Sequence, residues 1–143
     1  MALEWTHHVD RLDWDELEAL YRAAPLGNKL AADLKVAFTN SMFKCLVFDG
    51  PRLVAAGRAV ADGVDCSYLC DVAVLPSHQG QGLGKALVAR LVELSRGHKK
   101  IILYAVPGKE PLYHQLGFRR MTTAMAIFRD QAGALERGLL SEG

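Results

Sequence analysis

The chain has no apolar run of the length a bilayer demands and no excess of charge, since 17 Lys and Arg stand against 16 Asp and Glu for a formal net charge of +1. The first shortage argues against a membrane span. The second argues against a nucleic-acid binder working through bulk electrostatics, because such proteins present a strongly basic face. A basic-then-apolar leader is also missing: Glu4 and His7-His8 break up the first residues, so the N-terminus does not read as a signal peptide and a soluble, cytoplasmic protein is expected. Cysteine is scarce and odd in number. Cys45, Cys66 and Cys70 form no C-x-x-C pair and fall in strand-like segments, which suits reduced, packed thiols better than disulfides or zinc. No metal is indicated. The one basic cluster, His98-Lys99-Lys100, reads as a solvated helix-to-strand loop, with contact to an anionic ligand as the alternative.

What is present is enough for one packed domain over residues 1–143, with 50% hydrophobic residues among 143 and no internal repeat or low-complexity linker. Leu3 to Val9 reads as a first strand. Asp13 with Glu16 caps a helix that carries Trp14, Leu17, Leu20, Tyr21 and Ala24 on one face and stops at Pro25 and Gly27. Asn28 caps a second helix with Leu30, Leu34, Ala37 and Phe38 at helical spacing. Three strand patterns follow, Met42 to Phe48, Arg52 to Ala61 and Asp65 to Leu75. The Asp49-Gly50 and Asp62-Gly63 turns between them predict an antiparallel meander. Then come a helix from Gln81 to about Arg96, a strand from Ile101 to Val106, a short helix around Glu110 to Gln115 and a last strand near Ala124 to Phe128. That order is α/β with a mixed sheet. Residues 131–143 read either as a frayed helix or as an interface element, which leaves a homodimer open.

The segment Gln79-Gly80-Gln81-Gly82-Leu83-Gly84, between a strand pattern and a helix pattern, carries the chemistry. Alternating glycines leave the backbone N–H groups of the turn unobstructed, and the following helix adds its orphan donors and positive dipole end at the same place. The segment therefore reads as a diphosphate cradle. A P-loop is excluded because Gly84-Lys85 is followed by Ala86, with no hydroxyl for Mg²⁺, and Gln79 stands where the first glycine belongs. A dinucleotide fingerprint is excluded because Lys85 replaces the third glycine and only Gly97 to Lys100 fill the window of the acidic residue.

The spacing matches Gln/Arg-x-x-Gly-x-Gly/Ala, and here the chain resembles the GCN5-related N-acetyltransferase family, in which that signature holds the pyrophosphate of acyl-CoA. The resemblance runs from about Leu53 to Phe128. It takes in Asp71-Val72-Ala73-Val74-Leu75-Pro76 before the loop and Tyr113-His114-Gln115-Leu116-Gly117-Phe118 after it, in the family's order. It implies a mixed, mostly antiparallel central sheet with helices on both faces, and acetyl-CoA as cosubstrate. It also implies cofactor contacts from Val72, Ala73 and Val74 along the pantetheine arm and from Gln79, Gly80, Gln81, Gly82, Leu83, Gly84 and Lys85 around the pyrophosphate. Tyr113 falls where the family places the general acid that protonates the CoA thiolate, the rival reading being a tyrosine packed in the core with its hydroxyl on a carbonyl. His114, adjacent on the helix, should face elsewhere.

Transfer from a thioester to an amine also needs a neutral amine, and hence a base. Asp71 is the single ionisable residue in the apolar run Tyr68 to Leu75 and is the candidate. A carboxylate that only orders the strand, with water as the base, is the alternative. The chain further resembles the small single-domain members related to chloroplast-type serotonin N-acetyltransferases, departing from them at Val106, in place of a polar residue, and at Cys70, in place of an aromatic one. The expected activity is acetyl transfer to a primary amine of a small molecule. A protein lysine or N-terminal acetyltransferase and a non-catalytic acyl-CoA-binding module are the rivals.

Overall fold

The computed structural model describes residues 2–24 and 26–143. Contacts divide the chain into two compact units, Met1–Leu103 and Tyr104–Gly143, and each has its own architecture.

The first unit is a five-stranded sheet with three helices. Its elements run β1 (Leu3–Thr6), α1 (Trp14–Ala23), α2 (Ala31–Thr39), β2 (Phe43–Asp49), β3 (Arg52–Ala61), β4 (Cys66–Val74), a single 3₁₀ turn Pro76–His78, α3 (Leu83–Leu94) and β5 (Lys100–Ile102). Strand order is β1-β2-β3-β4-β5. The first three pairings are antiparallel and β4–β5 is parallel, as expected when hairpin turns join the meander and a helix crosses over before the last strand. At the second turn Asp62 Oδ1 accepts from the N–H groups of Val64 and Asp65 at 2.8 and 2.7 Å, and Gly63 takes φ +86°, a conformation glycine adopts without penalty.

Cys45 to Phe48 of β2 and Leu53 to Ala56 of β3 are buried without interruption. Successive strand residues point to opposite faces, so the central strands are covered on both sides. Helix α1 packs on β3 and β4, and α3 on β2, β3 and β4. Of the residues expected on the first two apolar faces Ala24 is half-buried and Leu30 exposed, but most of each face is buried: Leu17, Leu20 and Tyr21 of α1, Leu34 and Phe38 of α2, which packs on α1, and Leu83, Leu87 and Leu91 of α3. Each such side chain contributes about 1.5–3 kcal/mol of transfer free energy.

The helix starts separate one correct expectation from one correction. Asp13 caps α1 by accepting from Asp15 N and Glu16 N. Glu16, however, reaches across to accept from Leu53 N at 2.8 Å, tying α1 to β3. Asn28 does not cap α2: the N-cap is Leu30, which has no side-chain cap bond, and the orphan Ala31 N–H donates instead to Glu18 Oε1 of α1 at 2.7 Å. An acceptor from a packed neighbour satisfies a helix start as well as a local one. Pro25, expected to stop α1, lies outside the described residues. Strand β1 ends at Thr6 rather than Val9, because its ladder with β2 covers only Asp49 to Leu46.

The second unit, Tyr104–Gly143, holds two short helices, α4 (Glu110–Gln115) and α5 (Gln131–Glu136). The strand expected over Ala124 to Phe128 is absent, and that expected over Ile101 to Val106 is reduced to β5 in the first unit. The segment has strand-forming side chains, yet the sheet consists of β1 to β5 alone and Met125 and Ile127 are 96% and 95% exposed. A strand exists through its ladder. Asp130 caps α5 by accepting from Gly133 N at 2.9 Å, and the Tyr104 and Phe128 rings meet edge to face at 5.9 Å.

Candidate active site

In β4 the pairing with β3 slips. Ala73 faces Ala56 and Cys70 faces Arg58, with the register broken between, so Asp71 and Val72 oppose Gly57 alone. Asp71 takes φ +57°, the single non-glycine residue among those described with a left-handed backbone. Such bulges bend a strand and re-aim its groups, often beside an active site. A Cβ on Gly57 would lie 3.2 Å from both Leu91 Cδ1 and Val72 Cγ2. Glycine there lets α3 close over the bulge.

Three side chains meet Asp71 in this conformation. Tyr21, fully buried on α1, donates its hydroxyl to the Asp71 carbonyl at 2.5 Å. Burial, with the Asp71 charge adding to it, pushes the Tyr21 phenol well above its usual range, so it stays a donor. Arg58 Nε donates to Asp71 Oδ2 at 2.8 Å and Lys29 Nζ lies 3.2 Å from Oδ1. Arg58 also reaches Ser41 Oγ at 3.2 Å. The carboxylate expected to sit alone in an apolar run therefore has a cation on each oxygen.

The far edge of β4 is only partly paired. Among the described residues strand β5 pairs with Cys66, Ser67 and Tyr68, and no strand pairs with Leu69 to Val74 on that side. This places Val72, Ala73 and Val74 on the stretch of edge that leads into the glycine loop. Gln79 donates its side-chain amide back to the Val74 carbonyl at 2.9 Å, a use that leaves one β4 carbonyl partly engaged. Beyond it Gly80 and Gly82 adopt φ +79° and +81°, and a Cβ at either would meet open space. Gly82 is the N-cap of α3 and supplies no side-chain cap bond; the first helical bond is Ala86 N to Gly82 O. The N–H groups of Leu83 and Gly84 have no intrahelical carbonyl. Left-handed glycines facing empty space, next to a helix start without a side-chain cap, fit a diphosphate. Lys85 is exposed on the same turn.

The remaining candidate lies in the second unit. Tyr113 is on α4, and the letters that follow it form a helix stop: Gly117, at φ +97°, sends its N–H to His114 O, and Phe118 N–H returns to Tyr113 O at 3.1 Å. This is a Schellman cap, with its usual apolar contact supplied by the Tyr113 and Phe118 rings edge to face at 6.1 Å. The ring is thus used by the fold. Its hydroxyl is not, having no hydrogen-bond partner among the described residues. Burial raises the Tyr113 pKa above the ordinary tyrosine value, which keeps the proton on at neutral pH. His114 is exposed.

Sequence reasoning missed Tyr21, Lys29 and Arg58. Arg58 had a signal: it is the single charge in the run Leu53 to Val60, as Asp71 is in its own, and meander pairing brings two such charges together. The thiols Cys45 and Cys70 are each pushed up to about 11 by burial, so both are protonated near neutral pH.

Residues 7–118 match the Acetyltransferase (GNAT) family, and the chain belongs to it. GCN5-related N-acetyltransferase 1, chloroplastic, of Arabidopsis thaliana is 35% identical over 114 residues, 77% of this chain and 58% of that protein. Serotonin N-acetyltransferase 2, chloroplastic, of Oryza sativa subsp. japonica is 44% identical over 85 residues, 56% of this chain and 42% of that protein. The chain spans less than two thirds of the length of these relatives. Among solved structures, a probable acetyltransferase of meticillin-resistant Staphylococcus aureus superposes with a TM-score of 0.77 at 22% identity, covering 89% of this chain and 98% of that one; that likeness bears on the fold. Among the described residues no helix is long and apolar enough to cross a membrane.

Proposed function

We propose that the two units act as one domain that transfers the acetyl group of acetyl-CoA to a primary amine of a small molecule. The observation that carries this is the open β4 edge from Leu69 to Val74, running from a bulge into a glycine cradle. An extended pantetheine arm can pair with the edge as a strand would, and the diphosphate can take the N–H groups at the start of α3. Backbone N–H groups are sufficient donors for an oxyanion, so the apolar side chains of Val72, Ala73 and Val74 are no obstacle.

In the proposed reaction the amine nitrogen attacks the thioester carbonyl carbon, the C–S bond breaks, and the departing thiolate takes the Tyr113 proton. Its unused hydroxyl and raised pKa support that role. Direct attack is favoured over a cysteine-bound acyl intermediate, since Cys70 beside the bulge is a protonated thiol. We assign Asp71 to holding the bulge, with water carrying the amine proton away, because Lys29 and Arg58 already engage its two oxygens. Proton acceptance by Asp71 itself is the second reading. The small-amine acceptor is supported by the name of the Oryza relative, and a reducing, cytoplasm-like compartment by three free thiols.

The test is release of CoA across aryl, polyamine, aminoglycoside and peptide amines, with an enzyme-only blank for the three thiols. At a hundredfold excess over its dissociation constant, acetyl-CoA should stabilise the fold by about 2.7 kcal/mol. A melting temperature unmoved by saturating acetyl-CoA overturns the assignment. Acetylation of polypeptides without turnover of any small amine would replace the acceptor class.

A further inference from the structure

His78 is the one buried histidine among the described residues, 9% exposed, and none of the chemistry above uses it. It closes the 3₁₀ turn immediately before Gln79, and both ring nitrogens are engaged. Nε2 lies 3.0 Å from Asp49 Oδ2 and Nδ1 lies 2.8 Å from Ser77 Oγ. An Asp49 carboxylate can only accept, so Nε2 carries a hydrogen. Asp49 in turn is pinned where three strands meet, opposite Leu3 of β1 and Arg52 of β3. The backbone between β4 and the cradle is also held by Leu75 N to Val54 O at 2.8 Å, by His78 N to Leu75 O at 2.9 Å, by a longer Gln79 N to Pro76 O at 3.4 Å and by the Gln79 side chain on Val74 O; of the side-chain ties, that of His78 alone reaches another strand.

We propose that His78 and Asp49 are positioning residues for the cofactor: the Asp49–His78 bond fixes the entry of the glycine loop to the sheet, and so sets the aim of the cradle at the diphosphate without touching the thioester. A charge-assisted bond, buried on one side, is strong enough to decide such an orientation. Ser77, exposed at the loop, completes the pair by satisfying the second nitrogen, which fixes the ring's tautomer and tilt. The inference rests on reading the glycine loop as the acetyl-CoA cradle.

Two donors separate this role from a general structural one, because S-acetylpantetheine carries the thioester and lacks the diphosphate. Asp49→Ala and His78→Phe should each raise the KM for acetyl-CoA about tenfold, the value of one such bond. The kcat, the KM for the amine and kcat/KM with S-acetylpantetheine should stay put. Asp49→Asn keeps an acceptor for the Nε2 hydrogen and should restore most of the affinity. An unchanged KM for acetyl-CoA in folded variants, or an equal loss with both donors, overturns the proposal. Should His78→Phe not fold, Asp49→Ala alters a more exposed side chain and reads the same bond. Should the parent bind acetyl-CoA yet turn over no amine, the transferase reading falls alone, and calorimetric acetyl-CoA affinities of the same variants decide this one.

Discussion

Two glycine-bearing motifs in this chain differ in what they ask of glycine. In Gln79–Gly84, Gly80 and Gly82 are left-handed and look onto open space, beside a helix start whose donors need an outside acceptor. In Tyr113–Phe118, the left-handed Gly117 closes a helix by returning N–H groups to carbonyls within the same turn. One motif leaves backbone groups unspent and the other consumes them. What the second leaves unspent is a side-chain hydroxyl. The first should therefore govern binding and the second chemistry.

The largest expected effect tests the second motif. Tyr113→Phe keeps the ring on Phe118 and hence the cap, so stability and acetyl-CoA affinity should persist while kcat falls by roughly 10² to 10⁴. Steady-state kinetics beside a melting curve checks both; a change confined to KM would make Tyr113 a residue that only positions the donor. The same hydroxyl predicts a pH dependence. Because burial raises its pKa, the activity it supports is present below the ordinary tyrosine value of about 10 and is lost as pH rises through the higher folded value. In Tyr113→Phe that alkaline limb should vanish from the profile of kcat.

Next in size is the cradle. Gly84 has an ordinary backbone and a Cβ there would sit 3.7 Å from Val74 Cγ2, an ordinary van der Waals contact that the fold tolerates. Gly84→Val should weaken acetyl-CoA binding roughly 10- to 100-fold with little change in melting temperature, as read by calorimetry. Gly82→Val is a poorer probe, since a left-handed valine alone costs about 1–2 kcal/mol.

Asp71→Asn separates anchor from base. Asparagine tolerates the left-handed backbone, so the variant removes the charge that Arg58 and Lys29 share and should cost about 2 kcal/mol in urea unfolding, discounted for the partial exposure of Lys29. Lost turnover with undiminished stability would instead make Asp71 the base. The smallest effects compare the two helix starts: Asp13→Ala should cost about 1 kcal/mol, whereas Asn28→Ala should stay within about 0.5 kcal/mol, because Glu18 does the capping of α2.

The meander, the crossover helix and the glycine turn before it were legible because each rests on local rules. Asp-Gly turns set hairpins, leucines at helical spacing set the buried face of α3, and glycine spacing excluded the other phosphate loops. The strand expected near Ala124 to Phe128 was misread for the converse reason: side-chain preference was present and the partner was not. The chemistry around Asp71 was half legible. Its isolation in an apolar run marked it, but the same isolation suggested a lone buried carboxylate, and the cations that meet it come from positions 13 and 42 residues away in the chain.

By itself the sequence determined the meander of β2 to β4, the helices α1, α3 and α4, that a glycine-rich turn precedes α3, and that a tyrosine sits one turn before a helix stop. Those depend on contacts within a few residues. Only the tertiary structure decided that β4 slips by one residue against β3, that Tyr21, Lys29 and Arg58 converge on Asp71, that β5 stops short and leaves the β4 edge only partly paired, and that His78 is tied to Asp49. Each of these is a contact between chain segments far apart in sequence. Register and burial arise from the whole sheet closing at once, which no local pattern of letters contains.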